Sequence, residues 1–243
     1  MKLLTRLIGF AVLTCVVLHP LYGRAEQPSA TEVIKTFNDT LLEAMKRADE
    51  LGYSGRHKLL EPIIKDSFAI PFMAAQSTGR YWKTLKEEDR SLFLKAYTDW
   101  TIATYAGRFN GYSGESFNLV SESTPVQGIV TVISKLIKQN KEEISFYYLF
   151  RKIDGAWRIV DIQISGVSQL ALTRAQFVGV IKDKGFDGLI SMLKDKVRGF
   201  EKGSKEPRAS ARGSLLIERV GTVRPCPWVF SKAEGAEFCQ LKR

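Results

Sequence analysis

The chain has 243 residues, 44% of them hydrophobic and 11% aromatic, and carries 36 lysines and arginines against 26 aspartates and glutamates, a formal net charge of +10. This composition is typical of a globular protein with a real apolar core, and it argues against a disordered chain. Three scattered cysteines and two histidines leave no clustered ligands for a structural zinc site, and the sequence has neither a glycine-rich phosphate loop nor a nucleophile elbow.

Residues 1–25 have the pattern of a cleavable export signal. Two basic residues precede an apolar run of 12 residues, 7–18, and small residues precede a cleavage position after Ala25. A retained membrane anchor is an alternative, but this run is shorter than the roughly 20 residues that span a bilayer. A lipoprotein signal at Cys15 is a second alternative, which the surrounding residues suit poorly. We expect export of the mature chain, in a bacterium to the periplasm.

The first helices are predicted from capping and hydrophobic spacing. A capping box at residues 29–32 opens a helix that ends near Gly52. A second helix runs from about 56 to 68, and Pro62 predicts a kink or a break within it. The following segment, 68–73, is apolar enough to be buried.

A third, long helix is predicted from a capping box at residues 84–87 to about Phe109, with Gly111 closing it. Its buried stripe is unusually aromatic and consists of Phe93, Ala96, Tyr97, Trp100, Thr104 and Tyr105.

From Glu115 the hydrophobic period changes to two, which is typical of strands. Four strands are predicted, at residues 116–121, 129–138, 143–153 and 156–165. Asp154-Gly155 is a strong hairpin signal between the last two. Two helices follow, at about 168–182 and 187–200, with Asp187 as the N-cap of the second. Residues 26–204 are therefore predicted to form one α+β domain, with helices packed on a curved, mainly antiparallel four-stranded sheet.

The predicted strands are apolar on both faces. In the third strand, Phe146, Tyr148 and Phe150 share one face, while Tyr147 and Leu149 lie on the other. An antiparallel sheet with one wet face alternates more cleanly than this. One explanation is a sheet covered on both faces or packed by a long helix. The functional explanation is a cavity between sheet and helices that holds an apolar ligand.

Catalytic candidates are few. His57 is the only histidine after the leader and lies among basic residues at the start of a helix, which suits a solvated side chain better than a triad member. Asp161 lies within an apolar strand and, with Tyr105 or Tyr148, could imitate the base and oxyanion donor of a ketosteroid isomerase. The alternative for Asp161 is a structural role, hydrogen-bonded to backbone or to a nearby arginine.

The net charge divides unevenly along the chain. The leader carries +3, residues 26–204 carry 25 basic against 22 acidic side chains, and residues 205–243 carry 8 against 4. A nearly balanced domain argues against binding to a phosphate backbone. The tail is predicted to be poorly ordered, with a possible Cys226–Cys239 disulfide and a modest attraction to anionic lipid headgroups.

Short motifs in a fixed order carry a family resemblance: residues 81–85, Phe93 and residues 104–106, 112–115, 157–161, 165–168, 174–177 and 185–190. Over about residues 30–200 the chain resembles the MlaC family of periplasmic lipid-binding proteins, also called toluene-tolerance auxiliary proteins. Residues 103–112 and 68–73 are most similar to its hopanoid-associated HpnM branch. The tail matches nothing in the family.

The resemblance implies a soluble periplasmic carrier that takes a phospholipid or hopanoid tail-first into an apolar cavity between sheet and helices, without a cofactor, a metal or a catalytic centre. It implies shuttling between an inner-membrane ABC-type transport complex and an outer-membrane lipoprotein or porin partner. An enzyme using Asp161 on a cone-shaped α+β scaffold is the alternative. The candidate lipid-binding residues are Phe72, Phe93, Tyr97, Trp100, Tyr105, Val130, Val132, Phe146, Tyr148, Phe150, Val160 and Ile162.

Overall fold

A computed structural model describes residues 27–203. The predicted export signal and the basic tail, with Cys226 and Cys239, lie outside the described residues. In chain order, the elements are α1 (Ala30–Lys46), α2 (Ala48–Ser67), α3 (Ile70–Thr78), a 3₁₀-helix (Gly79–Thr84), α4 (Glu87–Arg108), β1 (Ser116–Val126), β2 (Ile129–Ile137), β3 (Glu143–Ile153), β4 (Ala156–Ile164), β5 (Val167–Ser168) and α5 (Gln169–Gly203).

The sheet is antiparallel throughout, with its strands in chain order from β1 to β5. The predicted turn joins β3 to β4, and its residues Asp154 and Gly155 both have positive φ, 51° and 81°, as the favoured two-residue hairpin turn requires. The α+β class and the antiparallel sheet are therefore confirmed. The sheet has five strands and not four, because Val167 and Ser168 add a short pairing against the end of β4.

Bulges bend the sheet over the helices. In the β3–β4 register, Phe150 lies opposite Ile159 and Leu149 opposite Asp161, so Val160 is an extra residue on β4. A bulge of this kind bends its strand and increases the local twist. The β1–β2 register shifts twice, and β1 continues to Val126, five residues beyond its predicted end.

The helix predictions are partly confirmed. Ser29 caps α1 as predicted, because its hydroxyl accepts the Glu32 N–H and the Glu32 carboxylate accepts the Ser29 N–H. The predicted break at Pro62 is wrong: α2 stays helical there and its backbone departs from helical geometry at Gly52, where φ is 57°. Full burial of Leu60 and Ile64 on either side of the proline holds the helix together.

The predicted capping box at residues 84–87 is also wrong. The Thr84 hydroxyl donates to the Tyr81 carbonyl and ends the 3₁₀-helix, and Lys86 is the N-cap of α4 without a side-chain cap. Carboxylates in the first turn of α4 supply the negative charge that favours a helix start. The capping pattern considers only neighbouring residues, and here the Thr84 hydroxyl is already bonded within the preceding 3₁₀-helix.

The last two predicted helices both lie within α5, and the non-helical backbone of Gly185, where φ is 70° and ψ is −175°, separates them. Asp187 lies two residues after this break, near the start of the second helical stretch. The α2–α3 link is tied to the sheet edge, because the Ala69 N–H donates to the Ile159 carbonyl at 2.9 Å. The core lies between the inner face of the sheet and helices α1, α2, α4 and α5.

One cross-strand pair offers a stability test. Arg151 and Arg158 lie directly opposite each other in β3 and β4, and like charges in that position are destabilising. We expect Arg158→Glu to raise the free energy of unfolding by about 0.5–1 kcal/mol, measured by urea denaturation, with a smaller gain in 1 M salt. Arg158→Gln removes only the repulsion, so its free energy of unfolding should lie between those of the wild type and Arg158→Glu. A glutamate variant no more stable than the glutamine variant would contradict the pairing.

Candidate functional site

The inner face of the sheet is built from alternating positions on three strands. Every second residue is buried in β2 and in the middle of β3, at residues 146–150. The register brings Val132, Tyr148 and Ile162 into one row across β2, β3 and β4. Six of the predicted lipid-binding residues share this inner face: Val130, Val132, Phe146, Tyr148, Phe150 and Ile162.

Aromatic rings from helices and sheet meet above this row. The Phe37 ring on α1 lies 5.4 Å from the Phe68 ring, 5.4 Å from the Tyr105 ring and 6.4 Å from the Tyr148 ring, all edge-on. We call this group the sheet-side cluster; it comprises Phe37, Phe68, Tyr105, Phe109, Phe146 and Tyr148. The candidate list does not contain Phe37, Phe68 or Phe109, although Phe68 belongs to the segment 68–73 that the sequence predicted to be buried.

The other predicted aromatics of α4 belong to a second group. Phe93, Tyr97 and Trp100 surround the Phe177 ring of α5, with ring centroids 6.2, 6.2 and 5.5 Å away, and Phe186 packs on Phe93 at 5.5 Å. We call these five residues the helix-side cluster. The predicted lipid-binding residues are therefore divided between a helix–sheet interface and a helix–helix interface.

Two predicted residues lie apart from both clusters. Phe72, on α3, is only partly buried, and the Arg151 guanidinium lies 6.0 Å from the centre of its ring. Val160 is buried, 6% exposed, but it is the bulged residue of β4. The bulge takes it out of the alternation that the prediction assumed.

The buried tyrosines carry hydroxyl groups into the interior without adding charge. Burial raises the pKa of Tyr148 above its ordinary value, and burial together with the Asp161 carboxylate raises the pKa of Tyr97. Burial, with a smaller contribution from Tyr148, raises the pKa of Tyr105, and the Arg108 guanidinium partly offsets this. All three phenols stay neutral at physiological pH, so the interior presents apolar ring faces and no ionised phenol.

One polar pair interrupts the apolar surface between α1 and β2. The Asn38 Nδ2 donates to the Ser134 Oγ at 2.9 Å, and both residues are buried, 4% and 0% exposed. The Asn38 Oδ1 is also buried, and it has no hydrogen-bond partner among residues 27–203. The α1–β2 interface thus contains an amide oxygen that is free to accept.

This pair predicts a contrast between single and double variants. Ser134→Ala leaves the buried Asn38 amide without its acceptor, and we expect the free energy of unfolding to fall by about 1–3 kcal/mol. Asn38→Leu with Ser134→Ala replaces both partners with apolar groups and should lie within about 1 kcal/mol of wild type. Chemical denaturation of the lipid-free protein measures both. A double variant less stable than the single one would contradict this interpretation.

Asp161 holds a turn. Its carboxylate accepts the Ser168 hydroxyl at 2.6 Å and the backbone N–H groups of Leu170 and Ile162 at 3.0 and 2.8 Å. Ser168 in turn caps α5 by accepting the Ala171 N–H. Both carboxylate oxygens are engaged in joining β4 to α5, which favours the structural interpretation of Asp161 over a general base.

The described part of the chain contains no group of three histidine, cysteine, aspartate or glutamate side chains placed to hold a metal ion. Among the helices between residues 27 and 203, none combines the length and apolarity needed to cross a bilayer.

Two pockets, of about 320 and 270 Å³, lie between α4 and α5. A third, which we call the end pocket, has a volume of about 400 Å³ and lies where α4 ends and β1 begins. Its floor consists of three buried core residues, Met45, Phe109 and Leu136. Phe109 stacks on Tyr105 at 5.7 Å, so this pocket adjoins the sheet-side cluster.

Comparison with known families identifies the chain at the family level. The sequence model of the MlaC protein family matches residues 35–195. The chain belongs to the MlaC family. Nothing in the match separates the HpnM branch from other MlaC proteins, so that assignment stays a prediction.

One curated relative and one solved structure are similar to the chain. The intermembrane phospholipid transport system binding protein MlaC of Haemophilus influenzae is 26% identical over 128 residues, 51% of this chain and 60% of that protein. The chain thus matches less than two thirds of that curated relative. A phospholipid-binding protein from Ralstonia solanacearum, solved in complex with a phospholipid, superposes with a TM-score of 0.63 at 21% identity, over 71% of this chain and 99% of that one. This MlaC chain shares its fold.

Proposed function

We propose that this MlaC protein is a periplasmic lipid carrier that holds the acyl tails of a phospholipid between α1, α4 and the inner face of the sheet, and catalyses no reaction. The observation that carries the proposal is the sheet-side cluster, a neutral aromatic surface between two layers. The Ralstonia protein, which has this fold, was solved with a phospholipid bound. In the described residues the core is apolar and the Asp161 carboxylate is engaged in a turn, which suits a carrier better than an enzyme.

The size of the cargo requires the two layers to separate. Two acyl chains contain roughly 30 methylenes, and at about 30 Å³ each, the share of a water molecule in the liquid, they need roughly 900 Å³. The end pocket has about 400 Å³. We infer that the tails enter between the layers and displace the rings of the sheet-side cluster.

Energetics favour this opening. Leaving 30 methylenes in water costs about 24 kcal/mol at about 0.8 kcal/mol each, so most of each tail has to be enclosed. Each aromatic contact that is lost contributes about 0.5–1.5 kcal/mol beyond area burial. Separating the Phe37 contacts with Phe68, Tyr105 and Tyr148 therefore costs a few kcal/mol. This cost is far smaller than the free energy gained by removing the acyl tails from water.

The finer points of the proposal concern cargo and partners. We propose a phospholipid as the cargo, with a hopanoid as the alternative that the HpnM-like residues suggest. We also propose exchange with an inner-membrane ABC-type complex and an outer-membrane lipoprotein or porin. The H. influenzae relative, whose name places it in an intermembrane phospholipid transport system, supports transport between two membranes.

Lipid analysis of the purified protein tests the proposal and identifies the cargo. The protein is isolated from the periplasm without detergent, and organic extracts are analysed by mass spectrometry alongside the intact complex under native conditions. We expect close to one diacyl phospholipid per chain. A hopanoid at the same ratio would support the carrier function and show that the cargo is a hopanoid and not a phospholipid. An empty protein that takes up neither lipid from vesicles would contradict the proposed function.

A further inference from the structure

The buried polar pair between α1 and β2 lies beside the sheet-side cluster. Asn38 follows Phe37 on α1, and Ser134 lies directly opposite Phe146 in the β2–β3 register. Phe37 and Phe146 both belong to the cluster, and the Asn38 Nδ2 donates to the Ser134 Oγ across the interface. The pair therefore adjoins the surface that we expect the lipid tails to contact.

The buried neighbours of this pair on its own elements are apolar. On α1, the buried residues one turn away on the same face are Ile34 and Leu41. On β2, Val132 and Leu136 share the inner face with Ser134, because strand residues two positions apart point the same way. None of these four side chains can form a hydrogen bond. An amide in such surroundings depends on the few polar atoms within its reach.

The Ser134 hydroxyl satisfies only part of the Asn38 amide. The Asn38 Oδ1 is buried and accepts no hydrogen bond from residues 27–203. With the amide turned over, Ser134 could donate to this oxygen, but the Ser134 oxygen would no longer accept from the NH₂ group. A hydroxyl group suits the amide in either orientation because it both donates and accepts, whereas an ester carbonyl only accepts and a methylene does neither.

Lipid loading increases the need for such a partner. Separation of α1 from the sheet breaks the Asn38–Ser134 hydrogen bond, and both side chains then face the lipid. A buried donor or acceptor without a partner costs more than a typical hydrogen bond contributes. A plain acyl chain offers no partner. One hydroxyl on the lipid can accept from the Asn38 Nδ2 and donate to the Ser134 Oγ or the Asn38 Oδ1.

We propose that Asn38 and Ser134 form a binding site for a hydroxyl group on the apolar part of the lipid cargo, so that the protein selects hydroxylated lipids over plain ones. This inference rests on the proposed function, because a hydroxyl reaches the pair only with a lipid between α1 and the sheet. An acyl chain of a phospholipid and a polycyclic lipid can both carry such a group. A site that bonds a hydroxyl discriminates against the analogue that lacks it, since its polar groups then stay unpaired.

Lipid pairs that differ in one hydroxyl group test the site. In the first set, the second chain of a phosphatidylcholine is stearoyl or hydroxystearoyl, with the hydroxyl near the ester, at mid-chain or near the methyl end in separate preparations. In the second, the hopanoids diploptene and diplopterol share a ring system, and only diplopterol has a hydroxyl. Vesicles with equal amounts of both members load the delipidated protein. Native mass spectrometry then gives the ratio of the two complexes.

Two variants provide the comparison. Asn38→Leu with Ser134→Ala replaces both polar partners with apolar groups, and thermal unfolding of the lipid-free protein checks its folding. This double variant also supplies the ratio that the lipids set by themselves, because the two members of a pair leave the vesicle unequally. Ser77→Ala on α3 is the matched control. Ser77 is fully buried like Ser134, but its hydroxyl donates to the Ala74 carbonyl of its own helix.

We expect the wild type and Ser77→Ala to favour the hydroxylated member of at least one pair about three- to tenfold more than the double variant does. The pair that shows this preference identifies the source of the hydroxyl. Equal ratios in the wild type and the double variant for every pair would overturn the hydroxyl site, with the Asn38 oxygen binding only water, and would leave the carrier standing. A protein that loads no lipid would overturn both. A preference lost equally in Ser77→Ala would overturn the assignment to Asn38 and Ser134.

Discussion

Replacing Phe37 with alanine is expected to lower the free energy of unfolding of the lipid-free protein by about 3–5 kcal/mol and to increase the stabilisation that bound lipid provides. The Phe37 side chain is fully buried and touches three other rings, so its removal leaves a cavity in the core. If acyl chains occupy this region, methylenes fill that cavity in the loaded protein. Thermal and chemical unfolding with and without phospholipid measure both effects.

Phe177→Ala is the matched control. Phe177 is also fully buried, and it contacts Phe93, Tyr97 and Trp100 in the helix-side cluster. Its loss should destabilise the lipid-free protein by a similar amount, about 3–5 kcal/mol, without increasing the stabilisation by lipid above the wild-type value. If bound lipid stabilises both variants by the same additional amount, the acyl tails do not bind specifically at the sheet-side cluster, and that assignment is wrong.

A cross-link between α1 and β2 is expected to block lipid loading. Asn38 and Ser134 face each other across the interface that we expect to open, with side chains 2.9 Å apart. In a protein with Cys226→Ser and Cys239→Ser, the pair Asn38→Cys and Ser134→Cys can be joined by a short, reducible thiol linker. Because the layers then cannot separate, uptake of a fluorescent phospholipid from vesicles should slow at least about tenfold, since even 1.4 kcal/mol added to the opening barrier has that effect.

The controls for this experiment use the same chain. Reduction of the linker should restore the uptake rate, and each single cysteine variant treated with the linker should load at the rate of the untreated protein. Unchanged uptake by the cross-linked protein would show that loading needs no separation of α1 from the sheet. Lipid would then have to enter elsewhere, for example between α4 and α5.

Local patterns in the sequence predicted much of the fold. The α1 capping box at Ser29, the bounds of β3 and the Asp154-Gly155 turn depend on residues close together in the chain, and the structure has each of them. The capping box at Thr84 failed because a preceding 3₁₀-helix already uses that hydroxyl. The short strand β5 was not predicted because it has only two residues, too few to show the alternating hydrophobic pattern of a strand.

The candidate site was harder to predict because it depends on contacts between distant elements. Phe37 and Tyr105 are far apart in sequence and meet only when α1 and α4 cover the same sheet. The α4 stripe was treated as one face, but at about 100° per residue Trp100 and Tyr105 point about 140° apart. Trp100 accordingly packs against α5, and Tyr105 packs against Phe37 and Phe68.

Photo-cross-linking from the lipid tails tests the central claim most directly. A phospholipid with a diazirine near the end of one acyl chain is loaded into the protein and irradiated, and the labelled peptides are mapped by mass spectrometry. The account predicts adducts on α1 around Phe37 and on β3 around Tyr148, which form the sheet-side cluster. Adducts confined to α5 around Phe177, with none on α1 or β3, would contradict it.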